Sequence, residues 1–260
     1  MPHLKHVLFE IQRYPDTDLY PFNLPLVKQT PHLSLDAPIT LFAGENGTGK
    51  STLLRAICRT CGIHIWEGER RRRYSRSPYE ESLHNYMEAA WSNGSVPGSF
   101  FSSDIFRDFA VALDEFAAAD PGMLRYFGGQ SLMNQSHGQS LLSYFGSRYS
   151  IRGLYLLDEP ETALSPASQI TLIKIIREAA ARGDAQFIIA SHSPILLACP
   201  GGRIYSFDEV PPREVLYEET EYYRVYREFL EDRGKFLGEN SESRIQNPEG
   251  KHGTSRSGKS

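Results

Sequence analysis

The chain has 260 residues, 40% hydrophobic and 23% charged, which suits one large soluble domain or a domain carrying an insertion. A net charge of −4 excludes a surface built wholly to coat nucleic acid, though it leaves room for a local basic patch. No apolar run reaches the ~20 residues that span a bilayer, no signal-peptide core opens the chain, and three cysteines are too few for a disulfide framework, so the expectation is a cytoplasmic protein without direct membrane insertion.

In chain order, Leu4 to Leu41 reads as short strands and turns, with the two prolines of "YPFNLP" breaking any regular element. "ITLFAG" is a buried strand, and "KSTLLRAICRTCG" a helix that stops at Gly62. Cys58-x-x-Cys61 with His64 lacks the second ligand pair of a tetrahedral metal site and reads as buried helix thiols. From about 64 to 127 the chain reads as a helical insertion, because "SLHNYMEAAW" and "IFRDFAVALDEFAA" carry apolar residues at amphipathic-helix spacing. Arg70 to Arg73 and Arg76 are either a solvated face, paired with Glu67, Glu69, Glu80 and Glu81, or a phosphate-binding cluster, and the first is favoured.

"NQSHGQSLL" is a polar turn followed by an apolar run that opens a helix. "GLYLLDEP" is a second buried strand, "PASQITLIKIIREAAARG" a helix between Pro166 and Gly183, and "QFIIASHSP" a third buried strand. "GRIYSFDE" reads as a fourth strand and "YEETEYYRVYREFLEDRGKFL" as a last helix. Residues 1–238 therefore read as the folded domain, and polar, Gly/Ser-rich 239–260 as a disordered tail. The strand–helix–strand order predicts an α/β fold with a largely parallel central sheet and short strands ahead of it.

Three motifs carry the chemistry. "GENGTGKST" matches the phosphate-binding pattern G-x-x-x-x-G-K-[ST] through Gly44, Glu45, Asn46, Gly47, Thr48, Gly49, Lys50 and Ser51, with Thr52 next. Its glycines let successive backbone N–H groups curl around phosphate oxygens at a helix N-terminus, Lys50 reaches the β- and γ-phosphates, and the Ser51 hydroxyl ligates Mg²⁺. Asp158 and Glu159 end a buried strand, where an acid is costly without a cation. Asp158 fits the Mg²⁺ carboxylate, and Glu159 the group that orients or deprotonates water. No guanine-reading N-K-x-D or T-K-x-D occurs, so ATP is the expected nucleotide. His192 sits just beyond the third strand, where a lone histidine would read as structural.

Taken together, "GENGTGKST", "SHGQS", "LYLLDEPETAL" and "SHSP" resemble an ABC-type ATPase of the RecF/SMC-like branch, and more narrowly the small stand-alone bacterial AAA-family ATPases. The resemblance covers nearly the whole chain apart from its tail. It implies ATP hydrolysis with Mg²⁺ and a head-to-tail, ATP-dependent homodimer with two ATP molecules at its interface. Ser136, Gly138 and Gln139 would stand where the family's signature touches the γ-phosphate across that interface, Glu161 to Pro166 would be the loop between the sites, and His192 would sense the γ-phosphate. One departure from the family concerns its coupling glutamine: Lys50 to Gly129 contains none, and Asp104 is the acidic candidate in its place. Tyr20 and Phe22 are candidates for stacking on adenine, but core or turn roles are favoured. The resemblance points to DNA maintenance or defence, with nucleic acid or an effector protein as partner. The nucleotide-binding subunit of a membrane transporter is the alternative, and a small-molecule kinase a third reading that leaves the signature and His192 unexplained.

Overall fold

The computed structural model describes residues 2–66, 77–120, 122, 124, 129 and 137–238. The arginine cluster, Ser136 and the tail from 239 onward lie outside them. The strands, in chain order, are β1 (Leu4–Phe9), β2 (His32–Ser34), β3 (Ile39–Ala43), β4 (Met87–Trp91), β5 (Gly98–Ser102), β6 (Gly153–Asp158), β7 (Ala185–Ala190), β8 (Arg203–Ser206) and β9 (Arg213–Val215). The helices are α1 (Pro25–Gln29), α2 (Lys50–Thr60), α3 (Ser103–Ala119), α4 (His137–Arg148), α5 (Pro166–Ala181), α6 (Pro194–Leu197), α7 (Glu221–Glu231) and α8 (Arg233–Leu237).

The strands form two sheets. β2, β1 and β4 make an antiparallel sheet, and β5-β6-β7-β3-β8-β9 a larger one. All pairs of the larger sheet are parallel except β8 with β9. β3, β6 and β7 are buried at every position, as expected for parallel strands covered on both faces. Because side chains alternate across a strand, each of these strands feeds two cores. Leu41, Tyr155, Leu157, Phe187 and Ile189 face the core closed by α3, α4 and α5. Phe42, Leu154, Leu156, Ile188 and Ala190 face the one closed by α2, α1 and the antiparallel sheet. This is the expected α/β fold, with an antiparallel N-terminal sheet on a mainly parallel central one.

Gln186 on β7 joins the two sheets through a fully buried side-chain amide. Its Oε1 accepts from the backbone N–H groups of His3 (2.8 Å) and Leu4 (2.7 Å), and its Nε2 donates to the carbonyls of Leu4 (3.0 Å), Leu35 (2.6 Å) and Ala37 (3.1 Å).

Within the stretch read as a helical insertion, 103–119 is the expected helix, but 87–91 is a strand. Apolar spacing over five residues does not separate the two, and antiparallel pairing of Val7 with Ala89 and Phe9 with Met87 decides it. β5 also falls in that stretch and extends the parallel sheet past β6. A Cβ on Gly98 would stand 2.3 Å from the Leu154 carbonyl oxygen, so glycine is what permits this close approach. In "YPFNLP" the second proline begins α1 instead of breaking it, since a proline at the first helical position has no hydrogen bond to lose. The last helix is divided at Asp232, whose side chain accepts from the Lys235 N–H and caps α8.

Cys58 is buried in α2 and donates its thiol to the Ile63 carbonyl (3.4 Å). Burial pushes the Cys61 thiol up to about 12. Among the described residues, no three His, Cys, Asp or Glu side chains cluster as metal ligands, and no helix is long and apolar enough to cross a membrane.

Candidate active site

The site forms where β3, β7 and β6 end side by side. The loop after β3 turns at Gly44, whose φ of +142° is open to glycine and where a Cβ would lie 3.0 Å from the Asp208 carboxylate and the Phe207 Cβ. Asp208 accepts from the Glu45 N–H (2.7 Å) and so pins the loop from β8's side. Lys50, the first residue of α2, is buried, and its ammonium donates to the carbonyls of Gly44 (2.5 Å) and Glu45 (2.6 Å) and to Thr48 Oγ1 (3.3 Å). Burial lowers its pKa, while Glu159, Asp208, Asp158 and Glu161 oppose that shift by favouring the charged form.

The Ser51 hydroxyl, one residue further along α2, donates to Asp158 Oδ1 at 2.8 Å. Asp158 is the last residue of β6 and buried; burial raises its pKa, and the Ser51 hydrogen bond works against the rise. A hydroxyl beside a buried carboxylate is a donor set that suits an Mg²⁺ taking its remaining oxygens from phosphates and water. These residues fit that ion.

Glu159 follows in the left-handed region (φ 47°, ψ 53°), alone in a positive φ among the described non-glycine residues. Its N–H donates to the Ala190 carbonyl (2.9 Å), and its carbonyl accepts from the hydroxyls of Ser103 and Thr162 (both 3.0 Å). This kink turns the Glu159 carboxylate toward the end of β7, where His192 Nε2 stands 3.2 Å from Oε1. The His192 backbone N–H donates to Glu161 Oε1 (2.5 Å), and Nδ1 lies 2.5 Å from the Tyr222 hydroxyl, which itself donates to the Gly44 carbonyl at 2.9 Å. Burial first, and then Lys50, lower the His192 pKa, while the Glu159 carboxylate opposes that shift.

Comparison with known proteins gives the family. The hemin import ATP-binding protein HmuV of Pseudomonas fluorescens is 30% identical over 203 residues, which cover 68% of this chain and 77% of that protein. The chain belongs to the ABC-type P-loop ATPases. The cobalt import ATP-binding protein CbiO of Salmonella paratyphi A is 29% identical to this ABC-type ATPase over 184 residues, 62% of this chain and 65% of CbiO. A family model described as "AAA domain, putative AbiEii toxin, Type IV TA system" matches residues 122–198, and one described as "AAA domain" matches 23–86. Among solved structures, an ATP-binding cassette of an ABC transporter in its ADP conformation matches at TM-score 0.49 and 14% identity, over 92% of this chain and 100% of that one. The SMC head domain from Thermotoga maritima matches at TM-score 0.41 and 14% identity, over 79% of this chain and 94% of that one.

This ABC-type ATPase binds and hydrolyses ATP, and its fold brings Lys50, Ser51, Asp158, Glu159 and His192 together. Gly138 and Gln139 lie on the first turn of α4, half-buried and exposed respectively, and α4 packs against α5. Ser136, just before that helix, lies outside the described residues. The end of β5 does reach the site: Ser102 pairs with Asp158, and the negative charge of Asp104, in the first turn of α3, is one of the causes that raise the Asp158 pKa. Phe22 is fully buried and packs on Tyr14, so it is a core aromatic. The hydroxyl of half-buried Tyr20 bonds Thr52 Oγ1 at 2.8 Å, at the start of α2.

Sequence reading missed Ser103, Asp208 and Tyr222. Ser103 and Asp208 follow the ends of parallel strands, where ligands gather in open α/β sheets, and that signal was available. Tyr222 lies in a helix with no local mark of function.

Proposed function

We propose that this ABC-type ATPase hydrolyses Mg²⁺-ATP in a head-to-tail homodimer, with Ser51 and Asp158 holding the ion and Glu159 orienting or deprotonating the attacking water. The observation that carries it is the 2.8 Å Ser51–Asp158 contact with the Glu159–His192 pair directly beside it. When bound, Mg²⁺ neutralises charge on the β- and γ-phosphate oxygens. Lys50, now satisfied by loop carbonyls, turns to those phosphates. The glycine-rich loop from Gly44 through Thr52 cradles them with its N–H groups. Ser136, Gly138 and Gln139 act across the interface, where a second helix N-terminus meets the γ-phosphate, and His192 senses that phosphate.

Two observations favour different loads for this engine. The hemin- and cobalt-import relatives support a subunit on the cytoplasmic face of a membrane partner. The lack of any glutamine between Lys50 and Gly129, where ABC ATPases carry a coupling residue, counts against that load and leaves DNA maintenance or defence as the second reading. The engine is tested by the molar mass of Glu159→Gln with and without Mg²⁺-ATP. A monomer that becomes a dimer, and fails to do so when Ser136→Arg is added, supports the in-trans reading; an unchanged mass at saturating ATP refutes it. The load is tested by purification from detergent-solubilised membranes against stimulation of turnover by DNA. Copurification with a multi-span protein supports the transporter reading, and DNA-stimulated turnover supports the other.

A further inference from the structure

The loop that carries His192, residues 191–193, is gripped by side chains from one other stretch of the chain. All three of its backbone N–H groups are bonded: that of Ser191 to the Phe42 carbonyl (3.1 Å), that of His192 to Glu161 Oε1 (2.5 Å) and that of Ser193 to the Ser191 hydroxyl (3.0 Å). The bond from Glu161 thus fixes the backbone of His192 itself. Glu161 lies in the short 3-10 turn after Glu159, and its other oxygen, Oε2, is buried with no hydrogen-bond partner. Such an oxygen costs the fold stability, so stability does not account for an acid at this position.

Gln169, buried on α5, takes the far side of the loop. Its Oε1 accepts from the Ser193 hydroxyl (2.5 Å), and its Nε2 donates to the Leu164 carbonyl (3.1 Å). The same Ser193 oxygen accepts the N–H groups of Ile195 (3.1 Å) and Leu196 (3.3 Å) and caps α6, so its one proton is free to go to Gln169. We propose that Glu161 and Gln169 are positioning residues for hydrolysis: from the two ends of 161–169 they clamp the 191–193 loop and set His192 where Nε2 meets the Glu159 carboxylate at 3.2 Å. A displacement of the turn between them, 162–166, is carried to His192 through both side chains. The inference rests on the role given to His192 above.

Glu161→Gln removes the same charge as Glu161→Ala but keeps an oxygen to accept the His192 N–H, so the pair isolates that bond. Glu161→Ala should lower kcat about tenfold or more with the ATP dissociation constant within about threefold, and Glu161→Gln should keep kcat within about threefold of wild type. The Glu161→Ala/His192→Ala double variant should be no slower than His192→Ala alone, because Glu161 acts through the loop. In nucleotide-free protein the His192 imidazole shifts, assigned by their loss in His192→Ala, should move in Glu161→Ala and stay in Glu161→Gln. A Glu161→Ala kcat within about twofold of wild type, equal losses in the alanine and glutamine variants, or losses that multiply in the double variant overturn the inference. Gln169→Leu should lower kcat about fivefold or more, and a value within about twofold of wild type overturns it whether or not Glu161→Ala folds. A His192→Ala kcat equal to wild type removes the role of His192 and this inference with it; an impaired His192→Ala beside an unimpaired Glu161→Ala overturns the inference alone.

Discussion

Glu159 is a catalytic candidate held in a backbone conformation that suits glycine, and that makes a stability measurement informative about the site. At φ 47° and ψ 53° its Cβ crowds the following carbonyl, a strain of about 1–2 kcal/mol for a non-glycine residue. Four hydrogen bonds hold it there: its N–H to Ala190, and its carbonyl to the hydroxyls of Ser103 and Thr162 and to the Thr162 N–H. Glu159→Ala and Glu159→Gly both remove the carboxylate, its contact with His192 and its repulsion of Asp158 and Glu161, so the difference between them isolates the backbone. Alanine keeps the strain; glycine relieves it but returns about 0.4–1 kcal/mol of freedom to the unfolded chain. The glycine variant should therefore be more stable than the alanine variant by about 0.8 kcal/mol at the middle of these ranges, which in a chain of this size is about 2–3 °C in Tm. Calorimetry without nucleotide reads that difference. Phosphate release should fall about a hundredfold or more in both variants, the usual scale for a lost general base. An alanine variant as stable as the glycine variant would refute the left-handed conformation, and one that still turned over near wild-type rate would refute the role.

Replacing Gln186 by Leu strands two buried N–H groups and three carbonyls at the junction of the sheets. Urea unfolding should show a loss of about 3–5 kcal/mol, and less than 1 would mean that the amide does not stitch them. Lys50→Met should weaken ATP about a hundredfold or more by calorimetric titration while the fold persists, because the ammonium supplies charge that no loop N–H group replaces. The thiols give a pH test: burial raises Cys61 to about 12 and Cys199 to about 11, so each is deprotonated only well above neutrality. At pH 8 a pKa near 11 leaves roughly one thiolate in a thousand. Iodoacetamide should therefore spare the folded protein and label all three cysteines after unfolding; rapid labelling of Cys58 and Cys61 in the native state, read by mass spectrometry, would restore a redox reading of that pair.

Much of the central sheet and most of the site chemistry were legible because they depend on neighbours in sequence. A run such as "ITLFAG" is apolar throughout because both faces of the strand are covered, and the phosphate loop works through backbone N–H groups whose curl its own glycines permit. β4 was misread because five residues of mixed polarity fit either period until β1 pairs with them. Ser103, Asp208 and Tyr222 could not be assigned roles for a related reason: each contacts the site through residues 56, 163 and 178 positions away, in Glu159, Glu45 and Gly44.

The sequence by itself therefore determined the strands buried on both faces, the glycine-rich loop that leads into α2, the acids at the end of β6 and the ATPase class, since these are set by residue type, spacing and the chain's immediate neighbours. Only the tertiary structure decided that β7 lies between β3 and β6 and so delivers His192 to Glu159, that β5 brings Ser103 beneath it, and that α7 returns to place one phenol between the histidine and the phosphate loop. Strand order and helix return are fixed by packing across the whole sheet, a long-range balance of burial and hydrogen bonding that no local window of residues contains.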